Sequence, residues 1–94
     1  MSYDTYIVQT HHAFGGGSNA SIRVRPLPGQ GLDPKMKVEC SRAMRYEHPV
    51  GTKFKLTAKV TDKEGGAPFL YSRYDWPYEV VSDDEARKFI EKNF

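Results

Sequence analysis

Ninety-four residues suffice for one domain, 1–94, with an adequate but thin core. A formal net charge of +2 is too small to imply a nucleic-acid partner by itself, and the single cysteine, Cys40, excludes an internal disulfide or a thiolate metal cluster. No apolar run approaches the roughly 20 residues of a membrane-spanning helix and no leader-like stretch opens the chain, so no membrane contact is expected and the reducing cytoplasm is the expected compartment.

Residues 3–10, YDTYIVQT, are rich in β-branched and aromatic side chains and read as a strand. Tyr6 and Val8 share one face, Thr5 and Ile7 the other, so both faces are expected to be partly covered. The next stretch, HHAFGGGSN over 11–19, is a loop, because three successive glycines offer no side chain to pack. It lacks the lysine and the following helix of a phosphate-binding loop, and its His11-His12 pair and Gly15-Gly17 run suggest no role. A second strand follows over 20–25, with Ile22 and Val24 inward and Arg23 and Arg25 outward. Pro26, Pro28, Gly29, Gly31 and Pro34 then make a long surface connection.

Residues 36–47 form a further β region, its inner phase held by Met36, Val38 and Cys40. Arg42 interrupts that row. A bulge near Ser41 resolves the conflict, and a short helix over SRAMRYE competes with it. After a turn at His48-Pro49, the segment Lys53 to Thr61 reads KFKLTAKVT. Phe54, Leu56, Ala58 and Val60 face one way, and Lys53, Lys55, Thr57, Lys59 and Thr61 the other. Residues 62–66 are a hairpin turn, 67–71 the returning strand, and 76–81 a last strand with Pro77 tolerated near its start. Ser82 with Glu85 makes a capping box for a helix over 83–93, whose Ala86, Phe89 and Ile90 form an apolar stripe.

These segments predict a mainly β (or α+β) fold. The expected form is a small, strongly curved antiparallel sheet or barrel of five to six strands, with one C-terminal helix against it. The expected core is Tyr6, Val8, Ile22, Val24, Met36, Val38, Phe54, Leu56, Val60, Phe69, Val80, Phe89 and Ile90.

Charge is unevenly spread. Residues 35–63 hold eight basic and three acidic side chains, and residues 64–94 hold four basic and seven acidic. Lys35, Lys37, Lys53, Lys55 and Lys59 occupy the polar phase of their strands. On neighbouring strands, joined by Arg23 and Arg25, they would make a phosphate-contacting patch. The segment YSRYDWPY adds Tyr71, Tyr74, Trp76 and Tyr78 as stacking platforms, with Arg73 between them. The plain alternative is that these lysines keep a strand soluble and protect its edge. Tyr3, Tyr71, Tyr74, Trp76 and Phe94 exceed what one thin core requires, which points to self-association.

No cofactor or metal is implied. His11, His12, His48 and Cys40 lack a ligand spacing, and no nucleophile-elbow context accompanies any serine. Cys40, on the inner phase, reads as a small buried hydrophobe. The expected function is therefore non-catalytic binding or a structural role, through protein interaction or homo-oligomerisation. Single-stranded nucleic-acid binding through Lys35, Lys37, Lys53, Lys55, Lys59, Arg73, Tyr74 and Trp76 is the alternative, and a small enzyme of unknown reaction stands third.

Overall fold

The computed structural model describes residues 3–13, 21–62, 66–73 and 75–94. Their elements run β1 (Asp4–Ala13), β2 (Ser21–Pro26), β3 (Val38–Glu39), α1 (Arg42–Tyr46), β4 (Lys53–Thr61), β5 (Phe69–Tyr71), β6 (Tyr78–Val81) and α2 (Asp83–Asn93). Of the loop expected over 11–19, His11, His12 and Ala13 instead extend β1, because they pair with β2, and residues 14–19 lie outside the described residues, as do the tip of the expected hairpin at 63–65 and Tyr74.

The lysine-rich strand β4 organises the sheet. β1 runs antiparallel along one edge, with Asp4 opposite Ala58 and Gln9 opposite Lys53. β5 and β6 lie end to end on the other edge, β5 against Lys59 to Thr61 and β6 against Lys53 to Leu56. Between Leu56 and Lys59 β4 advances three residues while its partner advances seven, from Tyr71 to Tyr78, so four residues are looped out of the ladder. Ser72 holds the start of this excursion by donating its hydroxyl to the Thr57 carbonyl at 2.7 Å. β2 pairs antiparallel with the far half of β1, and β3 pairs with β5.

The sheet is open and mixed, which corrects the expectation of a strongly curved antiparallel sheet or barrel. β3 runs parallel to β5, and among the described residues no ladder joins β2 to β3 to close a barrel. The cause is the connection after β2. Its prolines and glycines carry the chain from one edge of the sheet to the other, and it arrives beside β5 in the same direction. Alternation shows that a segment is a strand and which of its faces is apolar. It contains no information on which strand lies beside it.

Two further differences are local. The expected β region over 36–47 shortens to Val38–Glu39, and the competing helix takes the rest: Ser41 caps α1 by accepting the Ala43 N–H at 3.2 Å. Val80, expected in the core, is 50 % exposed, because among the described residues no strand pairs with the outer side of β6.

One face of the sheet buries Val8, Val24, Phe54, Leu56, Ala58 and Leu70, with Met44 from α1 packed onto them. The opposite face buries Ile7 and Val81 beneath Ala86, Phe89 and Ile90 of α2. Both faces of β1 are thus covered, as its sequence implied: Ile7 and Val8 are both fully buried. The capping box sets where α2 starts. Ser82 accepts the Glu85 N–H at 3.1 Å, and the Glu85 carboxylate accepts the Ser82 N–H at 3.0 Å.

Where β2 ends at Pro26, the edge of β1 is sealed by a side chain. The Gln30 carboxamide is 2 % exposed. Its oxygen accepts the Ile7 N–H at 2.7 Å, and its nitrogen donates to the carbonyls of Ile7 at 2.8 Å and Leu27 at 2.9 Å. The adjacent Gly29 has φ +93°, and a β-carbon there would meet Ile90 Cγ2 at 3.2 Å, so glycine is needed for both the turn and the approach of α2.

Phe54→Ala should cost about 3–5 kcal/mol, whereas Lys55→Ala, which removes an exposed ion pair, should cost at most about 1 kcal/mol. Gln30→Ala should cost about 1–3 kcal/mol per backbone group it leaves unpaired. Chemical denaturation of the three variants checks the order; equal losses for Phe54→Ala and Lys55→Ala would contradict the assigned phase of β4.

Candidate functional site

The polar residues of β4 lie on the face that α2 covers, and the helix divides them. At one end Lys53 is only 18 % exposed and its Nζ lies 2.6 Å from the Asp83 carboxylate, in the first turn of α2. Lys55 pairs with Glu79 of β6 at 3.4 Å, and its Nζ stands 5.6 Å above the Phe89 ring. Both lysines are thus occupied inside the fold. The acidic residues that answer them belong to the negatively charged C-terminal third of the chain.

Beyond α2 the same face is open. Lys59 lies opposite Tyr71 in the ladder, and its Nζ sits 5.0 Å from the Tyr3 ring centroid. The looped-out residues bring Trp76 back over this place. Trp76 packs edge-on against Tyr3 with centroids 4.6 Å apart, and against Tyr71 at 6.5 Å. A turn closed by the Trp76 N–H donating to the Arg73 carbonyl at 3.1 Å holds the ring there. Arg73 pairs with Asp75 at 3.0 Å on its rim. Tyr3 remains 43 % exposed. Three rings from three separate segments therefore gather around one lysine on a solvent-facing part of the sheet.

The other expected cations stand apart from this group. Lys35 and Lys37 are exposed beside β3 and line a cleft of about 580 Å³ with Asp33, Met36, Glu39 and Phe69. Arg23 and Arg25 sit on β2, across from His11 and Gln9, at the far side of the sheet. The continuous basic row that the strand phases suggested is not formed. Of the eight residues expected at a nucleic-acid interface, the fold brings Lys59, Arg73 and Trp76 together. It engages Lys53 and Lys55 elsewhere, leaves Lys35 and Lys37 at another edge, and Tyr74 is outside the described residues.

A second cleft, of about 430 Å³, is lined by Val38, Glu39, Cys40, Arg45, Tyr71 and Ser72. Arg45 was not legible as a cleft residue, since only the turn into α1 swings it beneath Cys40. Its Nε is buried without a hydrogen-bond partner. Burial pushes the Cys40 thiol up to about 11, against a smaller opposing pull from the Arg45 charge. His48, one of the weighed metal ligands, packs edge-on to Phe54 at 5.1 Å and to Tyr78 at 6.0 Å. Among the described residues no three His, Cys, Asp or Glu side chains are grouped to hold a metal ion, and no helix is long and apolar enough to cross a membrane.

Compared with known protein families, with characterised proteins and with solved structures, the chain matches none.

The Cys40 environment makes a chemical prediction. A thiol that ionises near 11 when folded and near 8.5 when unfolded binds its proton more tightly in the fold. Its contribution to stability is present below the unfolded value and is lost as pH rises through the folded one. Iodoacetamide should therefore modify native Cys40 slowly at neutral pH, with a rate that climbs toward a midpoint near 11, and rapidly once the chain is denatured. Native labelling as fast as the denatured control at neutral pH would contradict this burial.

Proposed function

We propose that this chain is a non-catalytic protein-interaction module that acts in the reducing cytoplasm and recognises its partner with the open half of the α2-covered face. The observation that carries the reading is the gathering of Tyr3, Tyr71 and Trp76 around Lys59 on a stretch of that face beyond the helix. Trp, Tyr and Arg are the residues that most often dominate binding energy at protein interfaces. Here they are rigidly placed by the sheet and by a closed turn, so little ordering cost is left for binding. Arg73 and Asp75 at the rim supply polar groups of both signs.

A protein partner fits this patch better than single-stranded nucleic acid. Phosphate binding needs free cations spaced along a track. Lys53, Lys55 and Arg73 are each neutralised by a carboxylate within 4 Å. The rings also pack edge against face, which leaves no row of parallel faces on which successive bases could stack.

Selection of displayed peptides against the immobilised chain tests the reading. Selected peptides should lose at least tenfold in affinity on Trp76→Ala and remain bound by Lys35→Gln, with both variants melting close to the parent. Peptides that bind Trp76→Ala as well as the parent would remove the patch as the site. Salt-dependent binding of mixed-sequence single strands, lost in a Lys53, Lys55 and Lys59 to Gln triple variant, would replace the reading with the nucleic-acid one.

A further inference from the structure

We propose that Arg23 and Arg25 of β2 form a binding site for one phosphate monoester, carried on a side chain of a partner protein. The site lies level with Lys53, at the opposite end of β4 from Lys59 and about 20 Å along the strand from it. The inference does not depend on the function of the aromatic patch.

Alternation along β2 sets both guanidinium groups on one face. Val24 and Pro26 are buried, whereas Arg23 and Arg25 are exposed, on positions about 7 Å apart. Their ladder partners on β1 are His11 and Gln9, and Gln9 in turn lies opposite Lys53, so this is the face that α2 covers in part. None of these neighbours is an acid. From Thr5 to Leu32 the chain holds no Asp or Glu at all, so neither strand of the pair, nor the segment that joins them, can neutralise the two arginines. The other arginines are engaged within the fold. Arg73 and Arg87 pair with Asp75 and Asp84, and Arg42 and Arg45 both lie over the Tyr46 ring. Acids of other elements border this face. Asp83 and Glu91 on α2 line a cleft with Gln9, and β3, which carries Glu39, comes near β2 without pairing to it. Asp83 is held by Lys53 at 2.6 Å, and among the described residues no ion pair joins any carboxylate to Arg23 or Arg25.

Two unneutralised guanidinium groups at this spacing fit one doubly charged oxyanion. Each presents a planar fork of N–H donors that grips phosphate oxygens two at a time. A phosphate monoester carries about −1.5 to −2 charges at pH 7, which matches two cations, whereas a carboxylate or a phosphodiester carries a single charge. Nucleic acid is further disfavoured because two cations make no track along which successive phosphates could lie. Neither arginine lines any of the larger clefts among the described residues, so a small free phosphate would gain little here beyond its charge. A phosphorylated side chain on a polypeptide brings flanking backbone with it. Gln9 stands beside Arg25 to meet that backbone: its carboxamide nitrogen donates to the Gly51 carbonyl at 3.1 Å, which leaves its oxygen to accept a peptide N–H. Because both arginines are exposed, the binding is weak and falls as salt rises.

Fluorescence anisotropy with three degenerate peptide libraries, centred on phosphoserine, serine and glutamate, tests the inference. The phosphoserine library should bind at least tenfold more tightly than either of the others. That preference should vanish in the Arg23→Gln, Arg25→Gln double variant and survive in Trp76→Ala. Arg23→Lys with Arg25→Lys, which keeps both charges and removes both forks, should also lose most of it. All these changes at β2 fall on exposed side chains, so the variants should melt near the parent temperature. Equal binding of the three libraries, or a phosphoserine preference that the double glutamine variant keeps, overturns the proposal. Inorganic phosphate that displaces the phosphoserine library at equal concentration would reassign the arginines to a free small phosphate. Binding of anionic phospholipid vesicles without any phosphoserine preference would reassign them to a membrane surface.

Discussion

The carboxamide of Gln30 is the contact on which the arrangement of this fold turns. β1 needs a neighbour along its whole outer edge, because Ile7 is buried and its backbone groups cannot be left to water. β2 supplies that neighbour as far as Pro26, and the Leu27 N–H then donates to the Ile7 carbonyl at 3.1 Å, which leaves the Ile7 N–H to be met. Gln30 then presents an acceptor and a donor to Ile7 in the manner of one more strand residue, and a second donor contact fixes it to Leu27. The same contact draws Gly29 under Ile90, so the proline-rich connection becomes the floor on which α2 rests. One amide thus ties the edge of the sheet, the long crossover and the C-terminal helix together. Without Gln30 the buried Ile7 N–H would lose its acceptor, which is costly and makes the position intolerant of a simple apolar exchange.

Electrostatics follow from where that floor puts the helix. The middle of the chain is basic and its end acidic, an imbalance that on paper invites an anionic partner. Much of it is consumed within the fold. The first turn of α2 places Asp83 on Lys53, and Glu79 on the neighbouring strand answers Lys55. These acids sit in the first turn of the helix or one strand away, where the helix dipole and strand register both favour them. Glu85, hydrogen-bonded to the Ser82 backbone and hydroxyl, has its carboxyl held below the usual range. Its contribution to the cap is present above the ordinary carboxylate range and is lost as pH falls through the lowered value.

What could be read beforehand was local. The phase of β4 is plain in KFKLTAKVT, and Phe54, Leu56 and Ala58 are buried as that phase requires. Ser82 and Glu85 announce α2 because a capping box is defined over four consecutive residues. What could not be read was distant or competitive. Lys53 meets an acid 30 residues away. The parallel pairing of β3 with β5 depends on the path of a connection that has no periodicity. In α1 a serine cap outweighed the β reading of residues 36–47. Tyr3, Tyr71 and Trp76 could be marked as surplus rings, but their meeting around Lys59 follows from strand order and from the excursion between β5 and β6.

That excursion has a consequence for how the molecule could vary. β5 is registered by β4 on one side and β3 on the other, and β6 is registered by β4 and anchored by the helix cap that follows it. Past Ser72, which ties the start of the excursion to Thr57 and Glu39, neither strand takes its alignment from the residues between them. Lengthening a closed loop adds only about 0.6 kcal/mol for each doubling, so this segment is a natural cassette: its sequence and length can be exchanged while the scaffold stays the same. It also supplies Trp76 to the aromatic patch, so such an exchange would reshape that part of the surface and leave the two strand registers in place.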